Sequence, residues 1–121
     1  GNLQRDPGTP PPDEKVQIDL RVEVDETGFR IVEHNKVEIP IPCTSMPCFD
    51  PRSRTVDEFV PGNYDYEALR ARLNEEKVKF PEQNTVVIVS ADEVPYNEVV
   101  HTIDLCLQVG LEGIGLSGTL Q

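Results

Sequence analysis

Two cysteines with a close spacing are the residues best suited to chemistry in this sequence. Cys43 and Cys48 enclose Thr-Ser-Met-Pro within a proline-rich segment. A disulfide between them would restrict that segment in an oxidising compartment, and we expect one. The spacing differs from Cys-x-x-Cys, which argues against a thioredoxin-like redox role. A structural metal site would need two further ligands, for which His34, His101 and Cys106 qualify by residue type only, so no metal is expected.

A second set of candidate residues lies where a strand-like run meets the predicted start of a helix. Asp92 and Glu93 precede Pro95 and Tyr96. Such junctions hold ligand sites in α/β folds, so contact with a partner or ligand is one interpretation. The other is structural, since both carboxylates could satisfy free helix N–H groups and complement the positive end of the helix dipole. An acidic entrance would repel phosphate, so no nucleotide site is expected here.

The last predicted helix carries a possible proton-handling pair on its polar side. His101 and Asp104 lie three residues apart, which brings their side chains together as either a solvated pair or a proton-handling pair. On the apolar side, Cys106 is interpreted as a small core residue. The sequence lacks a Gly-x-Ser-x-Gly elbow, a phosphate loop, a dinucleotide fingerprint and a His-Glu-x-x-His pattern. We therefore expect no enzyme and no cofactor. An enzyme without a recognisable motif stays an alternative.

Hydrophobic periodicity indicates the elements that position these residues. The predicted elements are strands over 18–24 and 29–32, a short extension over 37–39, a helix from Asp65, a strand over 85–89, a helix from Pro95 stopped by Gly110, and a strand over 111–116. The β-branched run at 85–89 is typical of a strand covered on both faces and predicts the central strand. The order β-β-α-β-α-β predicts an α/β (α+β) fold, a two-layer sandwich in which two helices pack on a mixed sheet with a parallel pair.

The first predicted helix has a clear start and a solvent-facing side. Asp65 is a good N-cap residue. Arg72 with Glu76, and Glu75 with Lys79, stand four residues apart, so both are predicted as ion pairs on the solvent side.

Composition predicts one folded domain behind a proline-rich start. The 121 residues fit a single domain. Residues 1–14 hold four of the 11 prolines and are predicted to form a disordered linker, with the folded domain over 15–121. A long irregular loop is expected at 40–62. The net charge of −11 argues against nucleic acid and anionic membranes as partners, and reflects either a neutral or basic partner surface or a solubilising coat.

The sequence itself contains no apolar run long enough to span a bilayer, which takes 18 residues or more. It shows no signal-peptide pattern and opens without an initiator Met. We therefore expect any membrane anchor to belong to a missing N-terminal part.

The stretch around Asp92 resembles a known family. It comprises VIVSADEVPYNEVV at 87–100, Ile-Asp-Leu at 103–105 and GLEGIGL at 110–116. These residues resemble the ExbD/TolR biopolymer-transport proteins, in which a strand leads into Ala-Asp and a Val-Pro-Tyr-like helix start. Next comes a helix that contains an Asp, and a Gly then precedes the last strand. The resemblance covers about residues 16 to 118, but the 40–62 loop is longer than is usual and its cysteines are not in the family pattern. The branch of the family therefore stays open.

The resemblance implies a non-enzymatic periplasmic domain, joined by the linker to a single inner-membrane helix with a proton-coupling Asp that lies outside this sequence. It also implies partners: an ExbB/TolQ-like channel subunit, a TonB/TolA-like energy transducer, a second copy in a homodimer and, for TolR-like members, peptidoglycan. Partner contacts are then expected from exposed groups of the 43–48 loop and from Asp92, Pro95, Tyr96 and Asp104. The alternative is a periplasmic binding module that recognises peptidoglycan or a small ligand.

Overall fold

The computed structural model of the chain describes residues 17–33, 37–50 and 62–118. The predicted alternation forms β1 (Arg21–Asp25), which turns into β2 (Gly28–Glu33). The Asp25 carboxylate holds this turn by accepting the Thr27 backbone N–H at 2.8 Å and the Thr27 hydroxyl at 2.6 Å. Gly28 has a φ of 139°, and a Cβ there would clash with the Ile41 carbonyl oxygen, so the hairpin requires glycine.

A third strand, β3 (Val37–Pro42), replaces the short extension predicted over 37–39. It pairs antiparallel with β2 at the edge of the sheet. Pro40 and Pro42 are tolerated because the N–H positions of an edge strand can face away from its one neighbour. Their presence made this stretch resemble a loop. The predicted linker at 1–14 lies outside the described residues, as does 51–61 of the predicted 40–62 loop.

The remaining elements are α1 (Tyr66–Lys79), β4 (Thr85–Ser90), α2 (Tyr96–Gln108) and β5 (Gly113–Ser117). In the described part of the chain the five strands form one mixed sheet in the order β3-β2-β1-β4-β5. β4 pairs parallel with both β1 and β5. The predicted α+β fold with a parallel pair is confirmed, whereas the expectation that the run at 85–89 is the middle strand is wrong. The middle strand is β1, because the hairpin continues outward from it into β3.

One face of the sheet holds the core. The register places Val22 beside Ile31 of β2 and Ile88 of β4, and all three are buried. Both helices pack their buried residues into this same cluster, which includes Leu69 and Leu73 of α1 and Val99, Leu105 and Cys106 of α2. The opposite face carries Arg30, whose guanidinium lies 3.0 Å from Glu23 and 3.3 Å from Asp25. The molecule is therefore a two-layer sandwich with one charged sheet face.

The helix starts agree closely with the sequence, but the side-chain pairs on α1 do not. Asp65 caps α1 by accepting the Ala68 N–H at 3.0 Å. Pro95 is the N-cap of α2, so the helix begins at Tyr96, one residue later than predicted. Arg72 pairs with Glu75 at 3.0 Å instead of with Glu76, which is 3% exposed. Lys79 pairs with Glu33 of β2 instead of with Glu75. Glu76 is turned instead towards the end of β2.

A buried glutamine joins the start of β1 to β4. Gln83 is fully buried, and its side-chain carbonyl accepts the Ile18 N–H at 2.7 Å. Its amide donates to the carbonyl oxygens of Ile18 at 3.0 Å and Thr85 at 2.8 Å. One side chain thereby satisfies backbone groups of two neighbouring segments.

Candidate functional site

The candidate site lies at one end of the sheet, where β4 passes into α2. The Ala91 N–H donates to the Val24 carbonyl at 2.9 Å, which ties the junction to the end of β1. Val94 and Pro95 are buried, whereas Asp92 is exposed and Tyr96 is 66% exposed. The structure thus brings Asp92, Pro95 and Tyr96 together, with the polar and aromatic groups facing out from an anchored backbone.

The expected hydrogen bonds from the free N–H groups of α2 to Asp92 and Glu93 do not form. No side chain caps the N-terminus of α2, and the acidic residue in its first turn is Glu98 rather than Asp92 or Glu93. Asp92 is therefore not committed to the helix start. Contact of Asp92 with a partner or ligand stays a prediction.

An apolar groove opens beside this junction, between α2 and the edge strand β5. Its volume is about 290 Å³, and Ile88, Val94, Val99 and Leu116 contribute its apolar lining. Asp92 and Tyr96 also border it. Leu116 points to the helix side of the sheet, since it is in register with Ile88, yet it is 59% exposed. The helices do not extend far enough to cover this corner of the sheet.

Two acidic side chains from different loops meet at the β4–α2 junction. Glu26, in the β1–β2 turn, lies against Glu93 of the junction, and the hydrogen bond and like charge raise the pKa of Glu26. Asp25, which contacts Arg30 on the other face of the sheet, follows the opposite trend. Burial opposes its ionisation, but hydrogen bonds from Thr27 and the Arg30 guanidinium together lower its pKa. The exposed Asp92 carboxylate, which borders the groove, gives its entrance an acidic side that favours basic groups on a ligand.

The buried side chain of Glu98 holds the start of α2 against the residues that lead into α1. Glu98 is 1% exposed, and its Oε1 accepts the Tyr66 hydroxyl at 2.6 Å while Oε2 accepts the Gly62 N–H at 3.1 Å. Burial and the neighbouring Glu98 raise the pKa of Tyr66, so its phenol remains a donor. Glu98 thus joins α2 to the segment that leads into α1. The sequence gives no signal for it, because both partners lie more than 30 residues away.

The cysteine loop is hydrogen-bonded to that same segment. Cys43 and Cys48 are joined by a disulfide with a Cα–Cα distance of 5.6 Å. The loop is held by Asn63, whose N–H donates to the Cys48 carbonyl at 2.6 Å and whose carbonyl accepts the Thr44 N–H at 2.8 Å. Met46 at its tip is 65% exposed. The loop is therefore fixed at its base and presents an apolar side chain to solvent.

A family model described as biopolymer transport protein ExbD/TolR matches residues 7–120. The chain belongs to the ExbD/TolR family. Among curated proteins, no match to the chain is found. Members of the ExbD/TolR family are components of biopolymer transport and energy transduction, associate with the inner membrane and form part of ExbB/TolQ-associated complexes. They are non-enzymatic transport components.

In this ExbD/TolR domain, His101 and Asp104 are not among the residues that line the groove. Both are exposed on α2, and the His101 ring lies 5.7 Å from that of Tyr66. Asp104 stands eight residues beyond Tyr96, roughly 12 Å along the helix axis. The structure therefore separates Asp104 from the three junction residues with which it was grouped.

The described residues of this ExbD/TolR domain contain no group of three His, Cys, Asp or Glu side chains placed to hold a metal ion. Cys106, one of the candidate ligands, is a fully buried free thiol, and burial raises its pKa to about 12. His34 lies outside the described residues. No helix among the described residues is long and apolar enough to cross a membrane.

Proposed function

We propose that this chain is the periplasmic domain of a proton-motive-force-driven inner-membrane complex of the ExbB–ExbD or TolQ–TolR type, and that it docks partner proteins. The observation that carries this proposal is the groove between α2 and β5, with Tyr96 and Leu116 exposed at its border. The domain contributes a binding surface, and the proton-coupling chemistry belongs to other parts of the complex.

The chemistry of the groove supports docking. Single exposed apolar residues are normal on protein surfaces, but here two of them border one apolar groove. Tyrosine is enriched among residues that dominate interface energies. Among the described strands β5 pairs with β4 alone, so its outer edge can accept an extended segment. The acidic flank favours a partner segment that combines an apolar side chain with basic ones.

The partners proposed are an ExbB/TolQ-like channel subunit, a TonB/TolA-like energy transducer and a second copy of the chain. The family match supports this set. We further propose that residues 1–14 are a linker from a single inner-membrane helix encoded upstream of Gly1. Sequencing of the native gene tests this: an apolar segment of about 20 residues containing one Asp supports the anchor. A cleavable signal peptide in its place contradicts it.

The docking surface is tested by the affinity of the domain for the periplasmic part of the TonB/TolA-type transducer, measured by titration calorimetry. Tyr96→Ala is expected to weaken binding about thirtyfold, as loss of a central aromatic contact does. Val78→Ala is the matched control, because Val78 is 80% exposed on α1, away from the groove. Equal affinities for the two variants would contradict docking at the groove.

A second candidate function is recognition of peptidoglycan or a small ligand. The groove volume of about 290 Å³ lies at the lower limit for ligand pockets, roughly 300 Å³, so the groove could hold a small ligand or a short part of a larger one. Pull-down with purified cell-wall sacculi distinguishes the two functions. Saturable binding that is abolished by Asp92→Ala supports the wall-binding function, and absence of binding removes it.

A further inference from the structure

Two carboxyl groups meet at the end of the sheet opposite the groove. Glu33 ends β2, beside the start of β1, whereas the groove lies at the end of β1. Glu76 reaches this point from the C-terminal half of α1. The side chain of Glu33 is 10% exposed and that of Glu76 is 4% exposed. Two acidic groups are therefore placed together away from water, at a point where α1 contacts the sheet.

One cation serves both carboxyl groups. Lys79 Nζ lies 2.6 Å from Glu33 Oε2 and 3.6 Å from Glu76 Oε2. Glu76 Oε1 is buried and has no hydrogen-bond partner among the described residues. Since Lys79 balances one negative charge, a second buried carboxylate would remain uncompensated unless the pair retains a proton.

Among the residues that the structure describes, no second positive charge acts on Glu76. From the described elements, the charged groups that act on Glu76 are Glu33 of β2 and Lys79 of its own helix. Leu20, which directly precedes β1, is apolar and buried. Glu38 of β3 is paired with Val32, whose side chain projects to the other face of the sheet. Burial, the hydrogen bond to Glu33 and the charge of Glu33 raise the pKa of Glu76 to about 7, while that of Glu33 is lowered.

We propose that Glu33, Glu76 and Lys79 form a proton-linked latch, which fastens the C-terminal half of α1 to the end of β2 and opens when the shared proton leaves. With the proton present, the Glu76 carboxyl donates to the Glu33 carboxylate, and Lys79 balances the single charge. Without it, two carboxylates repel each other in a poorly hydrated contact. The last turn of α1 then separates from the sheet, and the groove at the other end is left unchanged.

The direction of the pH effect follows from the raised pKa of Glu76. Glu76 holds its proton more tightly when the latch is closed than when it is open, where its pKa is near 4.5. The contribution of Glu76 to closure is therefore fully present below about pH 4.5. This contribution is lost as the pH rises through about 7. Glu33 contributes in the opposite direction, because its lowered pKa favours closure at higher pH. The latch is therefore closed in mildly acidic surroundings and weakened above neutrality.

Backbone hydrogen exchange of the 121-residue chain tests the latch. After correction for the intrinsic exchange rate, protection of the amides at 77–80 is expected to fall about tenfold between pH 6 and pH 8. Protection of the α2 amides should change much less. Glu76→Gln keeps a donor and removes the titration, so its protection at 77–80 should not depend on pH. The matched control is Glu75→Gln, an exposed change on the same helix, which should behave like the unaltered chain.

A carboxyl ¹³C NMR titration of the unaltered chain decides the matter even if Glu76→Gln does not fold. Titration of Glu76 near pH 7, with Glu33 titrating well below it, supports the latch. Titration of Glu76 at the ordinary value for a glutamate overturns it. So does a loss of protection with pH that is the same in Glu76→Gln as in the unaltered chain.

Discussion

At the scale of single residues, the site depends on a buried acid that has neutral partners. Glu98 is stabilised by the Tyr66 hydroxyl and the Gly62 N–H, and it supports the helix that carries Tyr96. Hydrogen bonds to both carboxylate oxygens take the place of water. Removal of one donor leaves part of the charge unsatisfied in a place that water does not reach.

Tyr66→Phe is expected to lower the free energy of unfolding by about 1–3 kcal/mol, because a buried carboxylate oxygen loses its donor. Urea denaturation at pH 7 measures the change. Tyr96→Phe removes the same hydroxyl from a residue that is 66% exposed, and should change stability by less than about 0.5 kcal/mol. Equal stabilities of the Tyr66→Phe variant and the unaltered chain would mean that the hydrogen bond to Glu98 does not contribute.

The burial of polar residues such as Glu98 could not be predicted from the sequence. Asp65 was recognisable as a cap because its partner lies three residues away. Gln83 and Glu98 bond to groups more than 30 residues distant, and nothing local separates them from exposed polar residues. Glu76 was expected on the solvent side for the same reason. Helical spacing identifies neighbours on one helix, but tertiary packing decides which of them is buried.

At the scale of elements, the prolines in and after β3 made this part of the chain hard to predict from the sequence. The paired strands with clear alternation were predictable, as were both helices and the parallel β4–β5 pair. β3 was mostly missed because Pro40 and Pro42 read as loop residues, although an edge strand accepts them. Next to β3, the disulfide closes a segment that the sheet does not stabilise.

The disulfide is expected to form in periplasmic material and to stabilise the domain by about 2 kcal/mol, the loop-closure entropy of so short a loop. Urea denaturation of the double variant Cys43→Ser, Cys48→Ser, compared with the unaltered chain, measures this. Under a reducing agent the two should become nearly equal in stability. Mass spectrometry of non-reduced peptides provides the direct check, and finding both cysteines alkylated would contradict the disulfide.

At the scale of the whole molecule, the two ends of the sheet have different properties. One end carries the apolar groove with its acidic flank, and the other carries the carboxyl pair of Glu33 and Glu76. The junction residues of the groove were predictable as a candidate contact site from the strand-to-helix transition. The groove itself was not, because it depends on how far α2 covers β5. Leu116 would be a core residue by alternation, and only the packing leaves it 59% exposed.

The central claim is that partners of the energy-transducing complex dock at the groove. Site-specific photocrosslinking in cells tests it most directly, with the reactive group placed at Tyr96 in one variant and at Val78 in the other. Both positions are well exposed, at 66% and 80%, so accessibility does not separate them. We expect a crosslink from position 96, identified by mass spectrometry as the TonB/TolA-type transducer, and little from position 78. Equal crosslinking from both positions, or none from position 96, would contradict the docking function.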